Sequence, residues 1–494
     1  MRRTGAVTMV VCALVLPFRL AHSEGLPDLG DVSQGTITPQ MERTIGQRIF
    51  NEIRLREPAY LDDPEVNAYL NGLGSRLSGH VEGGISDVTG SKGFEMFALR
   101  DQTLNAFAMP GGYIGVHTGL ILSAQSESEL AAVLAHEVSH VTQHHIARGV
   151  TAGSAAQLAT MVSMAVALLA ARSNPDLAMG AAMAGQAAGI QSQLNYSRDF
   201  EREADRLGLQ LLGRAGFDIR GMPAFFERMQ KYGALYEGKN SAPAYLRSHP
   251  LTTERISAVA DRIEGQAYKQ VPDSLEFQLV RARLRALTTS VPEALSAFKT
   301  QLVSAGLTQQ VVAHYGIARI HLRDGNLDAA SREFALLEDG AKAAKLASPM
   351  FESFAAELML RKRDPVAAAR LLERSRTNYP QDRAIHYLLV EAYLDAGKPE
   401  LALAVTRDGQ ARFIEDPKNF ALQARCFGAL DRRMAHHRAQ AEAYWITGQV
   451  PLAMEQIELA KKAQDGDFYE QSETESRYRE IKERHLELLK EKRR

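Results

Sequence analysis

Two imidazoles and a carboxylate on one predicted helix carry the chemistry of this 494-residue chain. Within residues 127–140, apolar Leu130, Val133, Leu134 and Val138 recur at helical spacing, and Ser126 or Ser128 can cap the start. His136 and His140 therefore project from one face, one turn apart, the separation that two ligands of a tetrahedral zinc ion require. Glu137 sits beside the first histidine and can reach a water at the metal without being a ligand. The H-E-x-x-H pattern thus supplies two zinc ligands and a general base.

Catalytic zinc takes three protein ligands and a water, so a third ligand must come from elsewhere. A second predicted helix, through Ser197 to Arg206, offers Glu201 as that ligand. One turn on, Asp205 can accept a hydrogen bond from a ligand imidazole and fix its tautomer. Glu203 falls about 160° from the Glu201–Asp205 line on a regular helix and reads as a surface charge. His144 and His145 read as polar residues of the next turn, because three histidines in line on one helix cannot surround one ion. One Zn²⁺ per chain follows.

Composition narrows the setting. With 58 Lys+Arg against 59 Asp+Glu and no long block of one sign, there is no electrostatic case for a nucleic-acid partner. Cys12 and Cys426 are the only cysteines, which excludes a disulfide framework and a Cys-rich zinc finger and leaves any metal to His and carboxylates. Hydrophobic residues at 45% and charged residues at 24% exclude both a disordered chain and a polytopic membrane protein.

The elements that must hold the site follow. Arg2-Arg3, an apolar run from Gly5 to Phe18 and Ala21-His22-Ser23 read as a secretory signal peptide over 1–23, which marks the chain for export and removes Cys12. Cys426 then reads as a buried apolar residue. The catalytic region spans 24–265. Between the two motifs, at about 149–197, two uncharged stretches joined through Asn174-Pro175 read as a helical hairpin insertion. Ala, Gly, Ser, Thr and Gln dominate it, so it is expected to cover the catalytic cleft or to make peripheral contact with a membrane surface rather than span the bilayer.

Beyond 265 a repeat appears. His321-x3-Gly325-x4-Ala330, Tyr393-x3-Gly397-x4-Ala402 and Tyr444-x3-Gly448-x4-Ala453 share offsets, and Met359-x3-Arg363-x4-Ala368 is a degenerate copy. The pattern is a tetratricopeptide array over 266–470, with an irregular insertion expected between Gly397 and Gly448. Such arrays present a concave face to partners. Residues 471–494 alternate Glu with Lys and Arg and read as a charged terminal helix. The fold class is mainly α: an α+β zinc-peptidase domain with a small edge-strand sheet, then an α-solenoid.

These motifs resemble those of the gluzincin peptidases of the CaaX-prenyl-protease type, specifically members with an export signal and tetratricopeptide repeats. The family's H-E-x-x-H is matched by His136, Glu137 and His140, and its E-x-x-x-D by Glu201 and Asp205. Asn105 to Val116 is similar to the family's substrate-binding edge strand, placing Gly112, Tyr113, Ile114, Gly115 and Val116 beside an extended peptide. Gly111-Gly112 as a tight turn before a β-prone run agrees with that reading, since an added strand is recognised through its backbone. Ser248-His249-Pro250 and Arg255 resemble the late His-Pro…Arg element. His249 is then either a fourth ligand that blocks water or a group that aids catalysis at the oxyanion, and Arg255 either serves the oxyanion or forms a structural ion pair. The resemblance implies proteolysis of unfolded or misassembled outer-membrane proteins, docking to the barrel-assembly machinery through the repeats, and some chaperone activity. The alternative is a non-proteolytic periplasmic chaperone or scaffold whose zinc is latent or structural.

Overall fold

The computed structural model describes residues 37–149 and 198–491, apart from 82–83, 91–92, 236–243, 268 and 305. The signal peptide over 1–23 and all but the first residue of the hairpin at 149–197 lie outside the described residues. Among those described, no helix is long and apolar enough to cross a membrane.

Side-chain caps start the first helices. Thr38 accepts from the Met41 N–H to open α1 (Pro39–Arg56), and Asp63 accepts from Glu65 and Val66 to open α2 (Pro64–Ser78). Short β1 (Tyr60–Leu61) lies between them, and α3 (Ser86–Thr89) precedes β2 (Glu95–Leu99), β3 (Ala106–Met109) and β4 (Tyr113–His117). The sheet order is β1-β2-β4-β3. β2 and β4 run parallel, with Met96 opposite Ile114, while β3 returns antiparallel, with Ala108 opposite Ile114.

This order corrects the placement of the edge. Tyr113, Ile114, Gly115 and Val116 form an internal strand, bonded on both sides, and Gly112 belongs to the preceding turn. The outer strand is β3. Gly111 and Gly112, at φ 77° and 95°, reverse the chain within three residues, so β4 re-enters between β3 and β2. Ile114 and Val116 on one face and His117 on the other have no exposed surface, as in a strand covered on both sides.

α4 (Thr118–Ser123) leads into α5 (Glu127–Thr142), which is buried from Glu127 to Val141 and capped by Ser126. α6 (His145–Gly149) follows after His144, whose left-handed φ of 51° turns the chain. α7 (Arg198–Arg214) packs along α5. Gly208 permits the close crossing: a Cβ there would lie 3.1 Å from the His136 backbone nitrogen. α8 (Gly221–Leu235), α9 (Ala244–Ser248) and α10 (Thr253–Ile263) complete this half.

The rest is helical. Pairs Leu307–Arg323 with Leu327–Ala344, Pro349–Arg361 with Pro365–Asn378, Arg383–Asp395 with Pro399–Arg412, and Pro417–Ala429 with Arg433–Ile446 stack in succession. Left-handed residues Gly325, Arg363, Gly397 and Asp431 turn the chain within each pair. The expected insertion between Gly397 and Gly448 is therefore a regular repeat, 34 residues after Gly397, with Asp431 in the glycine's place. Phe427-x3-Asp431-x4-His436 keeps the offsets. Aspartate tolerates the left-handed conformation better than most residues, and Gly448 serves the next turn, half a period on. Ala330, Ala368, Ala402 and Ala453 have no exposed surface, as helix crossings require. The closing helix is Phe468–Glu491, and Cys426 is buried in the array.

An apolar core runs unbroken from α2 and α5 into the first repeats through Leu70, Phe277, Tyr315 and Phe354. At this seam Arg283 pairs with Asp63 at 2.7 Å and Glu65 at 2.5 Å, and Ser353 bonds Glu65.

Candidate active site

The crossing of α5 and α7 brings the sequence-predicted residues into one buried cluster. His136, His140, Glu201 and His249 each offer a ligand atom, all within 4.8 Å of one another. The Nε2 atoms of His136 and His140 are 2.9 Å apart. His249 Nδ1 lies 3.0 Å from Glu201 Oε1 and 3.3 Å from His136 Nε2. Glu137 stands beside them, with His249 Nε2 3.4 Å from its Oε1.

Charge and solvation test whether a metal fits. Glu137, Glu201 and Asp205 are buried carboxylates, and Arg255 is the buried guanidinium among them. When all are ionised, the three carboxylates outnumber the one permanent cation in a dry site, a costly arrangement unless a protonated His136 or a bound cation makes up the balance. Neither oxygen of Glu137 accepts a hydrogen bond from a described residue at normal geometry. A divalent ion would supply the missing charge and a water on it would give Glu137 a donor, and imidazole nitrogen with carboxylate oxygen is a donor set that suits zinc.

The groups around the candidate ligands fix their orientation. His136 Nδ1 is 3.0 Å from Asp205 Oδ1, and Asp205 is clamped by Arg255 through Nε at 2.7 Å and Nη2 at 2.8 Å. Arg255 also reaches Glu201 at 2.7 Å and the Pro250 carbonyl at 2.9 Å. Arg255 thus makes ion pairs with both carboxylates and ties α10 and the His249 segment to α7. Burial would lower the His136 pKa, but hydrogen bonds to Asp205 and Glu201 overcome it and raise it to about 9. His140, where burial dominates, is held well below the usual range. Burial also lifts Glu137. Glu201 moves the other way, because the three histidines outweigh its desolvation.

The link between α9 and α10 delivers His249. Its N–H bonds the Tyr245 carbonyl at 2.8 Å, and the Tyr245 ring centroid lies 4.8 Å from its own. Tyr245 was not singled out by its sequence setting. Its phenol is buried and accounts for no hydrogen bond among the described residues, and burial holds its pKa well above the ordinary value.

Two neighbours depart from the sequence reading. Glu203 is not a free surface charge: its Oε2 lies 3.0 Å from His145 Nε2 and 3.0 Å from Arg148 Nη1. His145 is fully buried, its Nδ1 2.8 Å from His140 Nδ1, and its ring stacks on Phe200 at 4.5 Å. Burial lowers its pKa to about 4. The left-handed turn at His144 was the missing signal. It breaks the α5 register and swings His145 back towards His140.

Comparison with known proteins agrees with this geometry. Residues 84–263 match Peptidase family M48. The β-barrel assembly-enhancing protease of Escherichia coli is 28% identical over 448 residues, 90% of this chain and 89% of its own. A Vibrio cholerae relative assigned the same name is 37% identical over 299 residues, so the match spans only 60% of that relative's length. The mitochondrial metalloendopeptidase of Arabidopsis thaliana is 31% identical over 167 residues, 34% of this chain and 31% of its own.

Proposed function

We propose that this chain, whose residues 84–263 match Peptidase family M48, is a periplasmic zinc endopeptidase that cuts misfolded or misassembled outer-membrane proteins. The observation that carries the reading is the convergence of His136, His140 and Glu201 around one point, with Glu137 beside it and an open strand edge nearby.

His136, His140 and Glu201 hold the metal. When bound, zinc supplies Lewis acidity that polarises the scissile carbonyl and acidifies water. Glu137 takes the proton of the attacking water and returns it to the leaving amine. Ala106 and Ala108 turn their backbone groups away from β4, because the Asn105 carbonyl takes the β4-facing bond from His117 N–H. An extended peptide added along β3 would bond to these groups, so recognition rests on backbone and tolerates many sequences. The Ala108 N–H is also among the dipoles that lower Glu137, which puts this edge next to the base.

His249 sits among the ligands, which favours its reading as a fourth ligand that holds the enzyme latent until the segment between α9 and α10 shifts. The contacts of Arg255 with Asp205 and Glu201 favour its reading as a structural ion-pair partner over that of an oxyanion group. The same placement of His249 favours the chaperone or scaffold alternative as the resting role. The repeats are assigned to docking at the barrel-assembly machinery, by the name and coverage of the Escherichia coli relative. The N-terminal signal pattern supports export. The test is cleavage of a urea-unfolded outer-membrane porin by the mature, zinc-loaded chain, with the folded porin as control. Fragments from the unfolded form alone support the reading, and a porin left intact in both arms by the wild type and by a His249→Ala chain refutes it.

A further inference from the structure

The two ligand histidines are held differently. His136 Nδ1 faces a carboxylate directly, 3.0 Å from Asp205 Oδ1. His140 Nδ1 instead faces another imidazole, with His145 Nδ1 at 2.8 Å. We propose that Glu203 and His145 form a positioning relay that fixes the tautomer and orientation of His140 and so tightens the hold on zinc.

Hydrogen-bond chemistry determines the order of the relay. His140 offers Nε2 to the ligand cluster, since that atom lies 2.9 Å from His136 Nε2 and 3.4 Å from Glu201 Oε1. Its Nδ1 must then carry the proton, and the partner atom must accept. A neutral imidazole accepts at one nitrogen only if the other is N–H. His145 Nδ1 therefore accepts, and His145 Nε2–H donates to Glu203 at 3.0 Å. Arg148, 3.0 Å from the same Glu203 oxygen, keeps that carboxylate ionised and in place. Stacking on Phe200 at an interplanar angle of 10° sets the plane of the His145 ring. The single helix α7 thus serves both histidines, with Asp205 for one and Phe200 and Glu203 for the other. Glu203 contributes charge at one remove, and His145 contributes direction.

Substitution at His145 separates hydrogen bonding from packing. His145→Phe keeps a ring against Phe200 but removes the acceptor. His145→Asn keeps an acceptor near the Nδ1 position but loses the ring and the reach to Glu203. Zinc dissociation constants of the full mature chain would be measured by competition with a chromophoric chelator, and the apo melting temperature would be followed alongside. The relay predicts that His145→Phe weakens zinc binding about 10- to 100-fold, the range for partners of metal-bound histidines. It also predicts that His145→Asn recovers part of the loss. Glu203→Ala, at a partly exposed position that tolerates truncation, should weaken zinc binding less than His145→Phe but measurably. Wild-type zinc affinity in His145→Phe overturns the relay, as does an equal loss in the Phe and Asn variants, which would mean that packing alone is at work. If His145→Phe fails to fold, Glu203→Ala decides: wild-type affinity there overturns the proposal.

Discussion

Two clusters of buried charge border one continuous core, and they are closed in different ways. At the seam with the repeats, Asp63 and Glu65 face Arg283, with Arg319 adding a second positive charge; burial still lifts the Glu65 carboxyl, while Arg283 outweighs burial at Asp63 and lowers it. The protein supplies the cations itself. At the junction of α5 and α7, Glu137, Glu201 and Asp205 face Arg255 as their one permanent cation, and a bound ion would supply the balance that a protonated His136 supplies only in part. The first arrangement joins two halves of a fold, and the second is built to take a metal. A buried charge cluster is read by what it lacks as much as by what it contains.

The largest expected effect tests the self-closed cluster. Arg283→Met leaves Asp63 and Glu65 unpaired in the core and should cost about 3–5 kcal/mol in unfolding free energy by denaturant titration. Zinc content of the folded fraction should stay at wild-type level. Loss of zinc with no loss of stability would show that the two clusters are not separate. Asp205→Asn tests the metal-closed cluster: it should weaken zinc about 10- to 100-fold by chelator competition, while apo stability changes little.

Gly208→Val probes the crossing that assembles the metal cluster. A side chain 3.1 Å from the His136 backbone nitrogen must push α7 from α5, at a cost of about 1–3 kcal/mol. Zinc occupancy should fall with it, read by metal analysis of the purified chain. A variant with wild-type stability and full zinc would show that the close crossing is dispensable. The smallest change concerns His249. His249→Ala should raise proteolysis of an unfolded protein by the reciprocal of the fraction of chains already open. A fall in rate instead would assign His249 to the transition state.

Much of this was legible in the chain. Helical spacing in α5 put His136 and His140 on one face, and the i, i+4 relation in α7 put Glu201 and Asp205 together. What spacing could not supply was the path of the chain between elements. The order of β3 and β4 depends on a three-residue reversal at Pro110–Gly112, and the pattern of either strand alone is compatible with the edge. Glu203 points away from Glu201 on the helical wheel, yet meets His145 because α6 wraps back after the left-handed His144. Asp431 hid a repeat for a similar reason: its backbone conformation, not its residue type, is what the period preserves.

The central claim is that the metal cluster is catalytic rather than a structural counterpart of the seam. Glu137→Gln tests it most directly, because Glu137 is not among the four clustered ligand-bearing residues. Cleavage of an unfolded protein and zinc content would be measured on the same preparation. The account predicts that the variant retains zinc and loses about 10²- to 10⁴-fold in rate, the contribution of a general base. Equal rates in the wild type and a zinc-loaded Glu137→Gln chain would contradict it.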